Sequence, residues 1–361
     1  MTDLQRTPLD ARHRESGARM VPFAGWEMPV QYAGVIDEVR AVRTGAGIFD
    51  VSHMGQLQVT GAGAHAFLQR VLSNDLDRIA GGHAQYTLLP NEQGGIIDDL
   101  IAYRDGAGYL LVVNAGNIAI DVAHLRSLLA ADVTLVDESA EHAMVALQGP
   151  ASLALLAGLT EHGFAAAEAP PFAFGEATIA GIACTCARTG YTGEPGVELI
   201  CAAGDAVALW DALVSAGAVP CGLAARDTLR LEVCYPLHGQ DITPETNALE
   251  AGLGWVCALE KEFIGVGALR ATKAAGRTRT LVAFPMDEER AIPRPGCPIV
   301  AAGEPVGAVT SGTFSPTLGR GIGMGYVPPA LAQVGSPLTI DVRGRLLPAT
   351  VARKPLYPKG A

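Results

Sequence analysis

The chain of 361 residues has no basic run, and its formal net charge is -11 at pH 7. Nucleic-acid binders concentrate Lys and Arg where phosphates lie, so that class of function is set aside. There is no charge-free apolar run of 18 residues, and the opening MTDLQRTPLDARHRESGARM lacks the apolar core of a signal peptide. A soluble, cytoplasmic protein with no membrane partner is expected. No CxxC occurs among the seven cysteines, and no HExxH or HxH among the eight histidines. The cysteines are odd in number and scattered through the second half. Cys184 and Cys186 share a strand face, and the others are isolated. A zinc or iron–sulfur site needs a tighter set, so buried free thiols and no metal are expected. No GxGxxG or phosphate-loop spacing follows a predicted strand, which excludes the usual dinucleotide enzymes. What the chain does have is 49% hydrophobic and 17% charged residues, enough for a large core in two or three domains.

Read in order, residues 20–32 form a proline-punctuated loop or short strand. Ile36, Val39 and Val42 mark an amphipathic helix that ends at the Gly45–Gly47 cluster. A polar turn at Asp50, Ser52 and His53 precedes a strand over Gln56–Thr60. His53 and Met54 there face either a pocket or a local hydrogen-bond partner. Ala64–Leu72 reads as a helix, Tyr86–Pro90 and Ile96–Tyr103 as a hairpin, and Tyr109–Val113 as a further strand. Asn117 is expected to cap a helix with the stripe Ile118, Val122, Leu125 and Leu129. The order then recurs: a strand at Met144–Leu147, a helix opened by Gln148-Gly-Pro150, and strands at 176–188 and 195–201. Asp205 is expected to cap Ala206–Ala216, with Gly217 closing it. The helix Leu223–Glu232 carries Arg226 and Arg230 one turn apart, either to bind a carboxylate or as a solvated face. From Thr278, after a linker near Lys273–Arg279, short strands punctuated by Gly and Pro predict an all-β barrel or jelly roll. Antiparallel strands with helices on one face make the remainder α+β.

The stretch Asn91-Glu-Gln-Gly-Gly-Ile-Ile-Asp-Asp-Leu-Ile-Ala-Tyr103 stands out. Gly94-Gly95 is a turn signal, and side chains alternate along the strand that leaves it. Ile97, Asp99 and Ile101 therefore share one face, and Ile96, Asp98 and Leu100 the other. Two carboxylates among large apolar neighbours are either partnered structural groups or proton-exchanging ones.

The motifs FAGWEMPVQY, GIFDVSHMG, NEQGGIIDDL, LQGP, GYTGEPGVEL, GLAARDTLRLE and VTSGTFSPTLGRGIGMGYV occur together and in this order. As a set they resemble the aminomethyltransferase family, the T-proteins of the glycine cleavage system, from about Thr7 to Tyr357. The resemblance implies an α+β, three-domain cloverleaf: two interleaved α+β domains around a central folate channel, plus a C-terminal β-barrel domain. The expected divisions are 1-50 with 140-245, 51-139 with 246-276, and 277-361. It implies tetrahydrofolate as acceptor substrate and the lipoylated H-protein as partner. The implied reaction takes the methylene of an aminomethyl group on the lipoyl arm and yields 5,10-methylenetetrahydrofolate, ammonia and the dithiol arm.

Carried over residue by residue, the resemblance implies Asp99 as the catalytic carboxylate and Met54, Asn114, Tyr191, Glu198 and Arg226 as folate-binding. The chemistry is coherent. A carboxylate such as Glu198 can accept two parallel N–H bonds from a pterin edge, and Arg226 suits the glutamate tail. Tyr191 and Met54 suit flat apolar contact, and Asp99 suits proton management as N5 attacks the methylene carbon. The chain departs from the family pattern KxxFxGKxAL at Lys261–Leu269, where Val266 stands for the second lysine. A C-terminal tyrosine used by some relatives also has no counterpart. Two other readings compete: a folate-dependent demethylase on the same fold, and a non-catalytic folate-binding accessory protein. The accessory relatives carry a KGCYxGQE cysteine motif that is replaced here by Lys261-Glu-Phe-Ile-Gly-Val.

Overall fold

The structure, a computed structural model, describes residues 4–106, 108–288 and 291–357. The chain divides into two compact units. The first runs up to Val71, then takes in Leu76–Thr87 and Asp99–Arg226; the second comprises Leu72–Asp75, Leu88–Asp98 and everything from Asp227.

The first unit is built on two main sheets. In one, the strand order is His83–Pro90, Ile96–Asp105, Gly108–Val113, Gly55–Thr60 and Thr134–Asp137. Leu57, Val59 and Leu111 are buried on it, as are Phe67 and Leu68 of the helix Ala64–Val71. The helix Ile118–Ser127 packs so closely that a Cβ on Gly55 would lie 2.6 Å from Ile118 Cγ1, which is why that strand begins with glycine. The other sheet has the order Thr160–Gly163, Phe174–Ile179, Ile182–Ala187, Gly196–Ala202, His142–Gln148, Gly47–Asp50 and Val219–Pro220. Its core gathers Ile48, Val145, Leu147, Val197 and Leu199 against Leu209, Trp210 and Leu213 of the helix Ala206–Ser215. Burial of each such leucine stabilises by about 1.5–3 kcal/mol.

The second unit contains an all-antiparallel sheet in the order Thr280–Pro285, Arg320–Val327, Glu304–Ser315, Pro298–Ala301, Pro337–Val342 and Arg345–Thr350. Bridges Ala283–Ala352 and Met286–Ala349 bring its first strand to its last, so the sheet closes on itself around Phe284, Met286, Ile299 and Ile340. The glycine spacing of its central strands has a steric cause: a Cβ on Gly307 would sit 1.9 Å from the Tyr326 carbonyl oxygen. The fold is thus α+β with a C-terminal β-barrel, as the texture change at Thr278 predicts.

Several local expectations need correction. Asn117 and Asp205 occupy the N-cap positions but make no side-chain cap bond. Each ends a one-turn 3₁₀ segment, Ala115–Asn117 or Ala203–Asp205, and so has helical rather than extended backbone, which turns the side chain from the free N–H groups. Leu129 lies beyond its helix. The stretch 176–188 is a hairpin, broken at Ala180-Gly181, both at positive φ. Residues 20–32 likewise form a hairpin, Arg19–Phe23 with Trp26–Gln31. Pro150 precedes its helix, which starts at Ser152. The helix Val266–Ala275 runs through Lys273, so the linker to the barrel shortens to Gly276–Arg279; Gly276, at φ 87°, ends the helix. Among the described residues no helix is long and apolar enough to cross a membrane.

Candidate active site

All six candidate residues belong to the first unit. Sheet register explains how three of them meet. Ile101 pairs with Val112 and Gly55 with Val113, and continuing both registers sets Met54, Asn114 and Asp99 in one row at the strand ends. The side chains bear this out: Asn114 Nδ2 donates to Asp99 Oδ1 and to the Asp99 carbonyl, each at 2.9 Å. From the next strand the Tyr86 hydroxyl donates to Asp99 Oδ2 at 2.9 Å. Both carboxylate oxygens are therefore oriented by neutral donors. Asp99 is half-buried, whereas Asp98, on the opposite strand face, is fully buried. Apolar neighbours alone do not describe Asp99.

Met54 follows a tight turn in which its N–H donates to the Val51 carbonyl at 3.0 Å. Asp50 braces that turn. Its Oδ1 accepts from Ser52 N at 2.9 Å, and its Oδ2 meets His13 Nε2 at 2.8 Å and the Thr7 hydroxyl at 2.7 Å. Burial works to raise the Asp50 carboxyl and is outweighed by these bonds, so it sits below its ordinary range. His53 is buried with its ring edge-on to Phe23, the centroids 5.7 Å apart, and its Nδ1 has no hydrogen-bond partner. The expected local partner is missing at that atom. Burial, reinforced by the Arg226 charge and opposed by Asp50, pushes His53 down to about 4, so the ring is neutral at physiological pH.

Glu198 lies on the Gly196–Ala202 strand with its side chain buried. The Thr189 hydroxyl donates to its Oε2 at 2.5 Å, and the Tyr103 and Thr189 hydroxyl oxygens are 3.2 Å apart. Burial raises the Glu198 carboxyl; the Thr189 bond and the Arg226 charge pull it partway back. Arg226, in the first turn of Leu223–Glu232, stands with its guanidinium carbon 4.7 Å from the centroid of the Tyr191 ring. The Arg226 charge bears on both Glu198 and His53, the neighbour of Met54.

A family model described as "GCVT N-terminal domain" matches residues 9–261, and one described as "Glycine cleavage T-protein C-terminal barrel domain" matches residues 279–358. The chain belongs to the glycine cleavage T-protein family. It is 47% identical over 362 residues to an aminomethyltransferase of Geobacillus kaustophilus, covering 98% of this chain and 99% of that protein. It is 49% identical over 370 residues to one from Frankia alni, covering 99% of each. The crystal structure of glycine cleavage system aminomethyltransferase T from Bartonella henselae superposes with a TM-score of 0.91 at 35% identity, covering 98% of both chains.

Beside the residues that the T-protein motifs mark, the geometry brings in Tyr86 and Thr189, which hold the two carboxylates. For Tyr86 the only signal in the sequence was its place in the hairpin facing Asp99; for Thr189 it was its position at the head of the GYTGEPGVEL turn. The paired-arginine expectation splits. Arg230 does not join Arg226 but is buried in ion pairs with Asp241 at 2.6 Å and Asp227 at 2.7 Å. Val266, where the family pattern has lysine, is buried at the start of its helix. Among the described residues no group of three or more His, Cys, Asp or Glu side chains is placed to hold a metal ion, and the cysteines are free thiols. Burial pushes Cys184 and Cys186 up to about 12, leaving both protonated and unreactive.

Proposed function

We propose that this chain transfers the methylene of the aminomethyl group on the lipoyl arm of the H-protein to tetrahydrofolate. The products are 5,10-methylenetetrahydrofolate, ammonia and dihydrolipoyl H-protein. The observation that supports this most directly is the Asp99 carboxylate, half-buried at the strand ends and aimed by Tyr86 and Asn114. A carboxylate held by two neutral donors is fixed in direction, as a proton acceptor beside a reacting amine must be. In this reading Asp99 manages protons as N5 attacks the methylene carbon and ammonia departs.

Glu198 would accept the paired N–H groups of the pterin edge. Its Oε1 is untouched by Thr189, and Oε2 keeps a second lone pair. Arg226 would take the glutamate tail as a charge-assisted pair, and Tyr191 and Met54 would offer apolar surface. Tetrahydrofolate is here a substrate, and no step calls for a metal. The family reading also carries the three-way division 1-50 with 140-245, 51-139 with 246-276 and 277-361. Free thiols throughout fit a reducing compartment, and we place the protein in the cytoplasm.

The decisive experiment is ammonia release from aminomethylated H-protein with and without tetrahydrofolate. Folate-stimulated release, with 5,10-methylenetetrahydrofolate formed in equal amount, is the expected result. Turnover of methyl donors in place of aminomethyl-H-protein would turn the assignment to a demethylase. Folate binding with no turnover of either would turn it to an accessory protein.

A further inference from the structure

The residue from the LQGP motif that the proposed chemistry leaves unused is Gln148. Its side chain is buried at the end of the His142–Gln148 strand, and two of its three bonds go to one segment, the third to the strand that follows it. Nε2 donates to the Thr189 and Val197 carbonyls, each at 3.2 Å, and Oε1 accepts from the Thr192 hydroxyl at 2.8 Å. The segment Thr189–Pro195 has no regular secondary structure of its own. Its path is instead shaped around this amide: a Cβ on Gly190 would lie 2.1 Å from Gln148 Oε1, and one on Gly196 would lie 2.5 Å from Nε2. From the other side Arg43 Nη1 donates to the Thr192 carbonyl and to Glu194 Oε1, both at 2.8 Å. What the clamped segment carries is Tyr191, set against Arg226, and Thr189, which holds the carboxylate of Glu198.

We infer that Gln148 is a positioning residue for the folate site, fixing Tyr191 and, through Thr189, the Glu198 carboxylate without touching the ligand. The inference rests on the folate reading given above. A buried amide that bonds two carbonyls and a hydroxyl cannot be replaced by an apolar side chain without leaving those groups unpaired, so the segment must move. A displacement of its two ligand-facing side chains weakens binding and leaves chemistry on bound substrate nearly intact.

The test is a mutant cycle on tetrahydrofolate affinity, read by calorimetry beside turnover at saturating folate. Gln148→Leu should weaken folate binding by about tenfold, the worth of one to two lost bonds, with kcat changed by less than about threefold. In a Tyr191→Ala background the same substitution should cost less, because one of the two side chains it positions is gone. Leu213→Ala, a cavity in the core under the sheet, should lower Tm without changing folate affinity. If Gln148→Leu fails to fold, Thr192→Val removes the hydroxyl that donates to Gln148 Oε1 and accepts from the Glu194 N–H, and should weaken folate binding by roughly threefold. Unchanged affinity in the foldable variant, or full additivity with Tyr191→Ala, overturns the inference and leaves the folate reading standing. Failure of the unmodified protein to bind tetrahydrofolate overturns both.

Discussion

Arg226 and Arg230 lie four residues apart on one helix, and their surroundings differ in kind. The Arg226 guanidinium lies over the Tyr191 ring and exerts its charge on Glu198 and His53. Arg230 is 1% exposed, and all five of its N–H groups are taken. Nε and Nη2 reach Asp227, Nη1 reaches Asp241 and the Tyr235 carbonyl, and Nη2 also reaches Ser311. Asp98 and Asp99 repeat the contrast on adjacent positions of a strand. Asp98 is wholly buried, while Asp99 is half-buried and aimed by two neutral donors. A charge locked into buried ion pairs serves stability; in the proposed reading, a charge oriented at the strand ends or over a ring serves the ligand. Substitutions at each member should therefore fail in different assays.

The largest separation is expected for the aspartates. Asp99→Asn keeps the shape and removes proton acceptance, so turnover should fall by roughly 10²–10⁴, the usual worth of general acid–base help. Folate affinity and Tm should stay near those of the parent. Asp98→Asn should cost less than about threefold in turnover and act on melting through a lost structural bond. If Asp98→Asn is the inactive enzyme, the functional face of the strand is the other one.

For the arginines the split lies between stability and binding. Arg230→Met strands Asp241 in a buried site, and breaking one side of such a pair costs about 3–5 kcal/mol. Urea melts should show that loss, while the protein that remains folded binds tetrahydrofolate normally. Arg226→Met should leave the melt nearly unchanged and weaken folate binding about tenfold through a lost charge-assisted bond. Equal effects of both substitutions on stability would erase the distinction.

How much of this was legible beforehand follows the same division. Alternation alone put Asp98 and Asp99 on opposite faces, and the seven motifs pointed to the fold and to every candidate residue but Asn114. Helical period could not separate Arg226 from Arg230, since residues four apart share a face. What separates them is tertiary: Asp241 and Ser311 lie 11 and 81 residues further on. Tyr86 was hidden because its role depends on how the hairpin pairs, and Thr189 because its partner Glu198 is brought to it by the fold. Cap residues misled where a 3₁₀ turn ran into the helix, as at Asn117 and Asp205, because residue type alone does not show the backbone angle.

His53 offers a pH test of the buried side of the comparison. Its folded value near 4 lies below the ordinary 6.5, so the unfolded chain binds more protons between these values. The stability it contributes is present above about pH 6.5 and is lost as pH falls toward 4, amounting to at most about 3 kcal/mol. His53→Gln should flatten the melting curve against pH across that window. An unaltered slope would assign the acid loss to other groups.

Glu198→Gln sharpens the ligand side. Glu198→Gln replaces a carboxylate acceptor by an amide, so one pterin N–H faces another donor in a buried site. Losing one charge-assisted bond of this kind costs about 1.5–3 kcal/mol, which is a fall in folate affinity of about tenfold or more with the fold intact. The pH dependence carries a second signature. Burial raises the Glu198 carboxyl, so a protonated fraction unable to accept both bonds persists to higher pH than for an ordinary carboxylate. Folate affinity of the parent should therefore rise with pH through that raised value. Its contribution to stability runs the other way, full below the unfolded carboxyl range and lost as pH rises through the folded value. Glu198→Gln should remove the Glu198 part of both trends. Calorimetric titration of tetrahydrofolate across pH decides it: a variant that binds as tightly as the parent, with the same pH profile, takes Glu198 out of the site.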